Sequence, residues 1–456
     1  MEHKPLACNL IRQPITKSDN MRLRDFIIAN ILFFSILFYT ACSDSSTTSS
    51  VDQYAEIHGT VEGGFPQAKM DYSESNTESK AVWAAAITSG GSIEKISETE
   101  TQVDASGRFT VNVDANQANR VVIVAESEGR QMTGFIAAEI ENGKSFTLKP
   151  VNIESTAETA VYTRIISEGK SNLIHKSDIE TLIRANSAAD IHASGSVTNQ
   201  VAAAIIHSAE ARAEFLSEYG SSDVQTLLNN YFELMTEAQL DYEAAVSSST
   251  SSDARNAAFD AYLHKKFDSY HEAGVDLAAT AKMTHMQAIV VQNTLGSVSA
   301  GVRNTARSSQ AFLAAIAIDA VVKARAEASG MSQSTVSAIS DAGSVLKAEV
   351  RSSNGAEASV KSSFKKYHED VRTAIENDSS VEASIIIAID TEINSVGGAK
   401  FLFSTSLSGL LDASSLLDVY GNFAGSVRNS VEAQSDLIGD VNTDALADIM
   451  ILINLF

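Results

Sequence analysis

The feature that most constrains the fold of this chain is where its prolines stand. The four prolines are Pro5, Pro14, Pro66 and Pro150, so residues 151–456 contain none. Proline costs about 3 kcal/mol inside a helix, because it lacks an N–H and clashes with the preceding turn. The proline-free part is also rich in Ala, Ser, Glu and Leu. It therefore permits long helices.

The spacing of apolar residues gives positive evidence for helices. In residues 199–220, apolar side chains recur every three or four positions, at Val201, Ile205, Ala209, Ala213 and Leu216. This period places them on one helix face. Gly220 is a suitable end for this helix, and residues 221–223 (SSD) offer an N-cap for the next. Similar polar stretches, which could begin further helices, occur in residues 247–254, 330–335 and 352–357.

Three stretches are apolar on nearly every side, namely residues 286–292, 311–322 and 383–393. Helices of this kind belong at the centre of a bundle. Each stretch is too short to span a bilayer, which needs about 20 apolar residues, and each carries an interior Gln or Asp. We therefore predict a large, elongated, all-α bundle over residues 153–456.

Residues 53–152 carry a different pattern. Short β-prone runs alternate with clusters of Gly, Asn and Asp, which is typical of a β-sandwich. In GRFTVNVD, Phe109, Val111 and Val113 alternate with polar residues, which indicates one buried and one exposed face. The predicted fold class is therefore α+β and multidomain, with a small N-terminal β-sandwich followed by the helical bundle.

Two fragments of this β region resemble the carboxypeptidase-regulatory-like, transthyretin-type domains. They are HGTVEG, with Gly59 and Val61, and VDASGRFTVNV, with Asp104, Gly107 and Phe109. In that family an Asp-x-x-Gly turn precedes a strand that begins with an aromatic residue. The resemblance implies a β-sandwich that serves as a spacer or stability module and has no activity of its own. The helical region resembles no family known to us.

The N-terminal residues read as an export signal. From Met21, which we take as the true start, Arg22 and Arg24 precede an apolar stretch that ends near residue 41. This stretch is shorter than the roughly 20 residues of a membrane span, as in secretory signals. The hydroxyl-rich residues 43–52 then read as a flexible tether.

The end of this signal, Thr40-Ala41-Cys42, resembles the lipobox of bacterial lipoproteins, although Tyr39 stands where leucine is usual. The resemblance implies cleavage after residue 41 and a covalent lipid on Cys42, so that residues 1–42 are signal and lipid attachment site. Ser43 follows the cysteine where aspartate would favour the inner membrane, which implies an outer-membrane location. The alternative is an uncleaved signal anchor with an incidental cysteine.

Cysteine count and charge exclude several classes of protein. Cys8 and Cys42 are the only cysteines, which rules out a disulfide scaffold and a cysteine-based zinc site. The net charge is −23, and residues 43–456 alone carry 29 basic and 54 acidic side chains. Such an acidic chain repels phosphate backbones, so nucleic acid is not an expected partner. The expected partners are the membrane, through the lipid, and other envelope proteins or glycans.

The candidate metal ligands lie in a motif that occurs twice, FDSYHE and FKKYHE, with His271 and His368. Phe, Tyr and His at positions i, i+3 and i+4 share one helix face, so both histidines are expected to point partly inward. His264 and Asp268 continue the stripe of His271. Facing imidazoles and carboxylates are how bundles build metal sites. The alternative interpretation is a Phe-Tyr packing face with a hydrogen-bonded histidine.

Asp319 and Asp390 are candidate buried carboxylates, because each follows IAI inside an apolar run. Such a group needs a partner or a raised pKa, and for Asp319 the near candidate is Lys323 at i+4. H-E-x-x-H and G-x-S-x-G motifs are absent from the sequence. We therefore expect a non-enzymatic interaction or structural lipoprotein that needs no cofactor. The alternative is a ligand- or metal-binding protein, or an enzyme, with its site near His271 and His368.

Overall fold

The computed structural model describes residues 54–379 and 413–432, apart from 64–79, 98, 118–119, 137, 221 and 329. Within these ranges eight strands are followed by eleven α-helices. The strands are β1 Ala55–Thr60, β2 Ala81–Ile87, β3 Ile93–Lys95, β4 Thr101–Gln102, β5 Arg108–Val113, β6 Val121–Ser127, β7 Arg130–Phe135 and β8 Ser145–Thr147. The helices are α1 Ile153–Ser167, α2 Lys176–Glu180, α3 Ala185–Ala193, α4 Gly195–Tyr219, α5 Val224–Ser248, α6 Ser252–Glu272, α7 Leu277–Thr294, α8 Ala300–Ala328, α9 Gln333–Ser352, α10 Glu357–Glu376 and α11 Ala413–Glu432. The predicted α+β class, with a small β part before a large helical part, is confirmed.

The strands form two sheets. In the smaller sheet β1 pairs antiparallel with β5 and parallel with β8. In the larger sheet the order is β3-β2-β6-β7, all antiparallel, and β4 also pairs with β2. The predicted alternation in β5 is confirmed, because Phe109, Val111 and Val113 are buried and the residues between them are exposed.

The larger sheet is covered on both faces. Ile123 and Ala125 of β6 pack with Ile57 and Val111 of the smaller sheet in one apolar cluster. Val122 and Val124, which point the opposite way, belong to a second cluster with α1 and other helices. The sheet is therefore the middle of three layers, which explains why β6 is a continuous apolar run.

The motif residues of the β region have specific structural roles. Gly59 lies opposite Phe109, and a Cβ at this glycine would be 2.5 Å from the phenyl ring. The Asp104 carboxylate accepts hydrogen bonds from the N–H groups of Ser106 and Arg108, both at 2.8 Å. Gly107 has φ +81°, a conformation that favours glycine. These residues fix the turn that starts β5.

The helix boundaries follow the predicted signals. α4 ends at Tyr219 with Gly220 as its C-cap, and Asp223 caps α5 by accepting from the N–H of Thr226 at 3.2 Å. The side chains of Ser251 and Ser332 cap α6 and α9 in the same way. α10 begins at Glu357, within the predicted range.

α8 is central to the helical part. Its residues from Ala311 to Ile318 are all buried, and Val321 and Val322 continue the buried run. Together with α5–α7, α9 and α10 they form the largest apolar cluster. In the part of the chain that the structure describes, no helix is long and apolar enough to cross a membrane. The signal, the tether, Cys42, Asp390 and the stretch 383–393 lie outside the described residues.

Candidate functional site

The short helix α2, residues Lys176–Glu180, lies among an unusual number of buried charged side chains. It begins at a buried cap: the Ser177 N–H donates to His175 Nδ1, and the His175 N–H donates to the Asp178 carboxylate, both at 3.1 Å. Burial lowers the pKa of His175 to about 4. The imidazole is therefore neutral at pH 7, as a ring nitrogen that accepts a hydrogen bond requires.

On one side of α2, two cations share the Asp178 carboxylate. Arg212 of α4 is fully buried and donates to both carboxylate oxygens, at 3.0 and 3.1 Å, to the Tyr270 hydroxyl at 2.9 Å, and to the Leu173 carbonyl. Lys266 of α6 lies 2.9 Å from Asp178 Oδ1. Burial alone would raise the pKa of Asp178, but Arg212 and Lys266 outweigh it and hold the pKa well below its usual range.

On the other side of α2, one lysine is shared by three carboxylates. Lys149 Nζ, just after β8, lies 2.5 Å from Glu158, 3.2 Å from Glu180 and 3.5 Å from Glu154. Burial raises the pKa of Glu158 to about 8, because Lys149 compensates its charge only in part. For Glu180 the two lysines Lys149 and Lys176 outweigh burial, and its pKa is lowered.

Lys176 of α2 extends these contacts to α5 and to the larger sheet. Its Nζ lies 2.6 Å from Glu243 of α5 and donates to the Phe135 carbonyl at the end of β7, at 2.7 Å. Gln239 donates to the same Glu243 oxygen at 2.9 Å, and the Tyr262 hydroxyl donates to Gln239. The buried charge of Lys176 is thus paired and hydrogen-bonded.

Stacked tyrosines pack against these charges. The rings of Tyr231 and Tyr270 are parallel with centroids 4.0 Å apart, and those of Tyr242 and Tyr262 lie 4.6 Å apart. Arg184 donates to the Tyr242 hydroxyl at 2.9 Å. Tyr270 and Tyr242 thus pack their rings in the core and accept hydrogen bonds from arginines at their hydroxyl groups, as buried tyrosines commonly do.

We call this set the α2 charge cluster. It contains four cations and four carboxylates, which are Lys149, Lys176, Arg212 and Lys266, and Glu158, Asp178, Glu180 and Glu243. Their side chains are at most 10% exposed, and they come from the end of the β region and from α1, α2, α4, α5 and α6. Removing one member leaves a buried charge without compensation, which is strongly destabilising. The cluster therefore links the strands to the helices.

A separate groove lies on the surface between α1 and α4. Its volume is about 330 Å³, and its apolar lining consists of Ala202, Ala203 and Ile206. Its rim carries polar groups of both charges, which are Arg164, Glu168, Lys170, Asn199, His207 and Glu210. Lys170 and Glu210 form an exposed ion pair of 2.9 Å across the groove. This volume falls in the range of small-molecule sites.

The predicted metal ligands are placed as follows. His271 is exposed at the end of α6, where its Nδ1–H donates to the Val275 carbonyl at 3.1 Å, so the expectation that it points inward is wrong. His264 and His368 are half-buried, and Asp268 is exposed. Among the described residues, no group of three or more His, Cys, Asp or Glu side chains is arranged to hold a metal ion.

The predicted buried carboxylate Asp319 is paired, but with a partner from another helix. Its side chain is 14% exposed and lies 2.6 Å from Lys347 Nζ of α9, whereas Lys323 on its own helix is exposed. Gly343 of α9 makes room for it, since a Cβ there would be 1.9 Å from Asp319 Oδ1. Burial, and next the charge of Asp319, raise the pKa of Tyr367 on α10.

Reasoning from the sequence missed the α2 charge cluster, although one signal was present. Arg212 lies on the same helical stripe as Ile205, Ala209 and Leu216, at spacings of four, three and four, and all four are buried. A charged residue on the apolar face of a helix indicates a buried ion pair. Lys266, between Leu263 and Tyr270 on α6, carries the same signal.

Fold and site together define a three-layer α+β protein whose strands and helices are joined through buried charges. Comparisons of the chain with known protein families, with curated proteins and with solved structures found no match.

Proposed function

We propose that this chain is an exported lipoprotein of the bacterial outer membrane that acts as a non-enzymatic interaction or structural protein. The observation that carries the non-enzymatic part is the α2 charge cluster. Its acids and bases are buried and face one another, so these side chains contribute to cohesion. A partner would then bind to the outer surfaces of the helices.

The anchoring part of the proposal rests on the sequence at Cys42. A lipid on this cysteine attaches the protein to the bilayer, and residues 43–52 connect the lipid to the folded part. An extended chain spans at most about 3.5 Å per residue, so this tether reaches roughly 35 Å. The protein therefore works close to the membrane surface, and its partners are other envelope proteins or glycans.

Substitution of the cysteine tests the anchor. We expect Cys42→Ser to move the protein from the membrane fraction to the soluble fraction, because a single serine carries no lipid. Ser46→Ala, in the tether, is the matched control and should leave the distribution unchanged. Mass spectrometry of the mature protein should find an N-terminal peptide that begins at residue 42 and carries fatty acyl chains. An unchanged membrane fraction for Cys42→Ser would contradict the anchor.

A second candidate function, binding of a small glycan, is favoured by the groove between α1 and α4. Its volume suits a small ligand, and arginine, glutamate, asparagine and histidine side chains on its rim match the donors and acceptors of sugar hydroxyls. We expect Ala203→Trp, which fills the groove, to abolish saturation-transfer NMR signals from envelope glycan fragments. Ala245→Trp, on the exposed face of α5, is the control. Equal signals for both variants would exclude this site.

A further inference from the structure

The core of the helical part contains a small cavity lined by both polar and apolar side chains. It lies beside the α2 charge cluster, and five helices or their adjoining turns line it: α2, α4, α6, α7 and α8. The space open to the centre of a water molecule is about 20 Å³. A cavity needs roughly 10–15 Å³ by this measure to hold one water. The cavity therefore has room for one molecule of that size.

Several polar groups on the cavity wall lack a full set of partners. Gln310 of α8 and Ser208 of α4 are each 8% exposed, and neither side chain forms a hydrogen bond within the described residues. Gln287 of α7 uses only its amide nitrogen, in a long contact of 3.4 Å to the Ser208 carbonyl. The Tyr270 hydroxyl accepts from Arg212, which leaves its hydrogen available. Buried polar groups are rarely left unpaired.

We propose that this cavity is the binding site of one ordered water molecule, which completes the hydrogen bonds of Gln310, Gln287, Ser208 and Tyr270. Water fits this set because it accepts from an amide N–H or a hydroxyl and donates to an amide oxygen at the same time. The water connects Gln287 of α7 and Gln310 of α8 to Tyr270, whose hydroxyl accepts from Arg212 of the α2 charge cluster.

The charges beside the cavity argue against an ion. Lys266 and Arg212 together outnumber the single carboxylate Asp178, so a cation would meet net positive charge. All three hydrogens of the Lys266 ammonium group are directed at protein oxygens, namely Ser177 O, Asp178 Oδ1 and Thr181 Oγ1, at 2.9–3.2 Å. Arg212 is not among the residues that line the cavity, and its two terminal nitrogens bind Asp178, Tyr270 and the Leu173 carbonyl. A halide would therefore lack a charged donor.

A crystal structure at a resolution that shows ordered water tests the proposal directly. We expect one density peak within hydrogen-bond distance of Gln310 and at least one other wall group. Soaking in bromide separates water from an anion, because only a halide gives an anomalous signal. A featureless cavity, a halide signal or a bound cation would each overturn the proposal.

The stability of the Gln310→Met variant gives an independent test, because the direction of its change depends on whether the water is bound. Met has nearly the same shape as Gln but no polar group. If water pairs with the amide, the variant loses that hydrogen bond, and its unfolding equilibrium constant rises by about fivefold. If nothing pairs with the amide, the variant removes an unsatisfied buried group and the constant falls. Gln333→Met, exposed at the start of α9, is the control and should change little.

Discussion

Lys149 is the residue on which the buried charges depend most. Its side chain is 5% exposed, and its ammonium nitrogen has three carboxylates within 3.5 Å, two of them almost fully buried. Each carboxylate pays a desolvation cost of several kcal/mol unless a cation compensates it. Burial raises the pKa of Glu158 to about 8, because this one cation, shared among three acids, compensates its charge only in part.

Removing this cation should destabilise the protein severely. We expect Lys149→Met to lower the free energy of unfolding by about 3–5 kcal/mol, because the buried Glu180 carboxylate loses one of its two cations and Glu158 loses its hydrogen-bond partner. Lys144→Met is the matched control, since Lys144 is largely exposed in its pair with Glu141 and should cost less than about 1 kcal/mol. Chemical denaturation measures both. Similar midpoints for the two variants would show that the buried pairs contribute little.

Glu158 should also give the stability a characteristic dependence on pH. Its pKa is 4.5 when exposed and about 8 in the folded protein, so between these values the folded state binds the extra proton. Stability from this group is therefore present at low pH and is lost as the pH rises through this window. The glutamine of Glu158→Gln cannot ionise, so this variant does not lose stability in that pH window.

The measurement is the difference in unfolding free energy between the wild type and Glu158→Gln. We expect the wild type to lose stability relative to Glu158→Gln as the pH is raised from 4.5 to 8. Asp178 and His175 titrate in both proteins, so their contributions to the unfolding free energy largely cancel in the difference. Glu94→Gln, which removes an exposed carboxylate of β3, serves as the control. A constant difference for Glu158→Gln would contradict the raised pKa.

Among the helices, α8 and α9 illustrate how one buried charge determines the packing of two elements. The Asp319 carboxylate of α8 occupies the space that a side chain at Gly343 of α9 would need, and Lys347 one turn later neutralises it. Gly343 is buried in α9, where glycine is otherwise unfavourable by about 1 kcal/mol relative to alanine. The Asp319 carboxylate therefore explains why a glycine stands at position 343.

We expect Gly343→Ala to destabilise the protein by about 1–3 kcal/mol despite its better helix propensity, because the methyl group displaces Asp319 from Lys347. In the background Asp319→Ala the same substitution should be neutral or stabilising. The two effects are thus strongly non-additive, and a double-mutant cycle measures the coupling. Gly421→Ala in α11, where the new Cβ meets no atom within 4 Å, is the control. An additive cycle would contradict this explanation.

Helix ends were the most predictable elements, and the reason is local chemistry. A side chain such as Asp223 or Ser332 caps the helix that begins immediately after it, so the signal and its effect are neighbours in sequence. The partner of Asp319 was not predictable in this way. The sequence offered Lys323 at i+4, whereas the structure uses Lys347, which becomes a neighbour only when α8 and α9 pack.

At the scale of the whole molecule, the α2 charge cluster escaped prediction for the same reason. Lys149 and Glu180 are 31 positions apart in the chain, and Lys176 and Glu243 are farther apart still. Their pairing exists only after the strands and helices have assembled. The amphipathic pattern of the helices predicted the bundle, but it gave no information about which buried charges face each other.

The shared core predicts that strands and helices unfold together. Trp83, the single tryptophan, lies in β2 and packs against the cluster that joins the larger sheet to the helices. We expect its fluorescence and the far-UV circular dichroism of the helices to change at the same denaturant concentration, as in a two-state transition. Loss of the fluorescence signal at a lower concentration would show instead that the β region unfolds as a separate domain.

The burial of the larger sheet on both faces has a consequence for how the chain must be made. β6 ends at Ser127, but the apolar cluster on its second face is completed by residues as late as Val291 and Val302. Until those residues have been synthesised, the valine and isoleucine side chains on this face remain exposed apolar surface. We therefore expect chains truncated before α7 to aggregate.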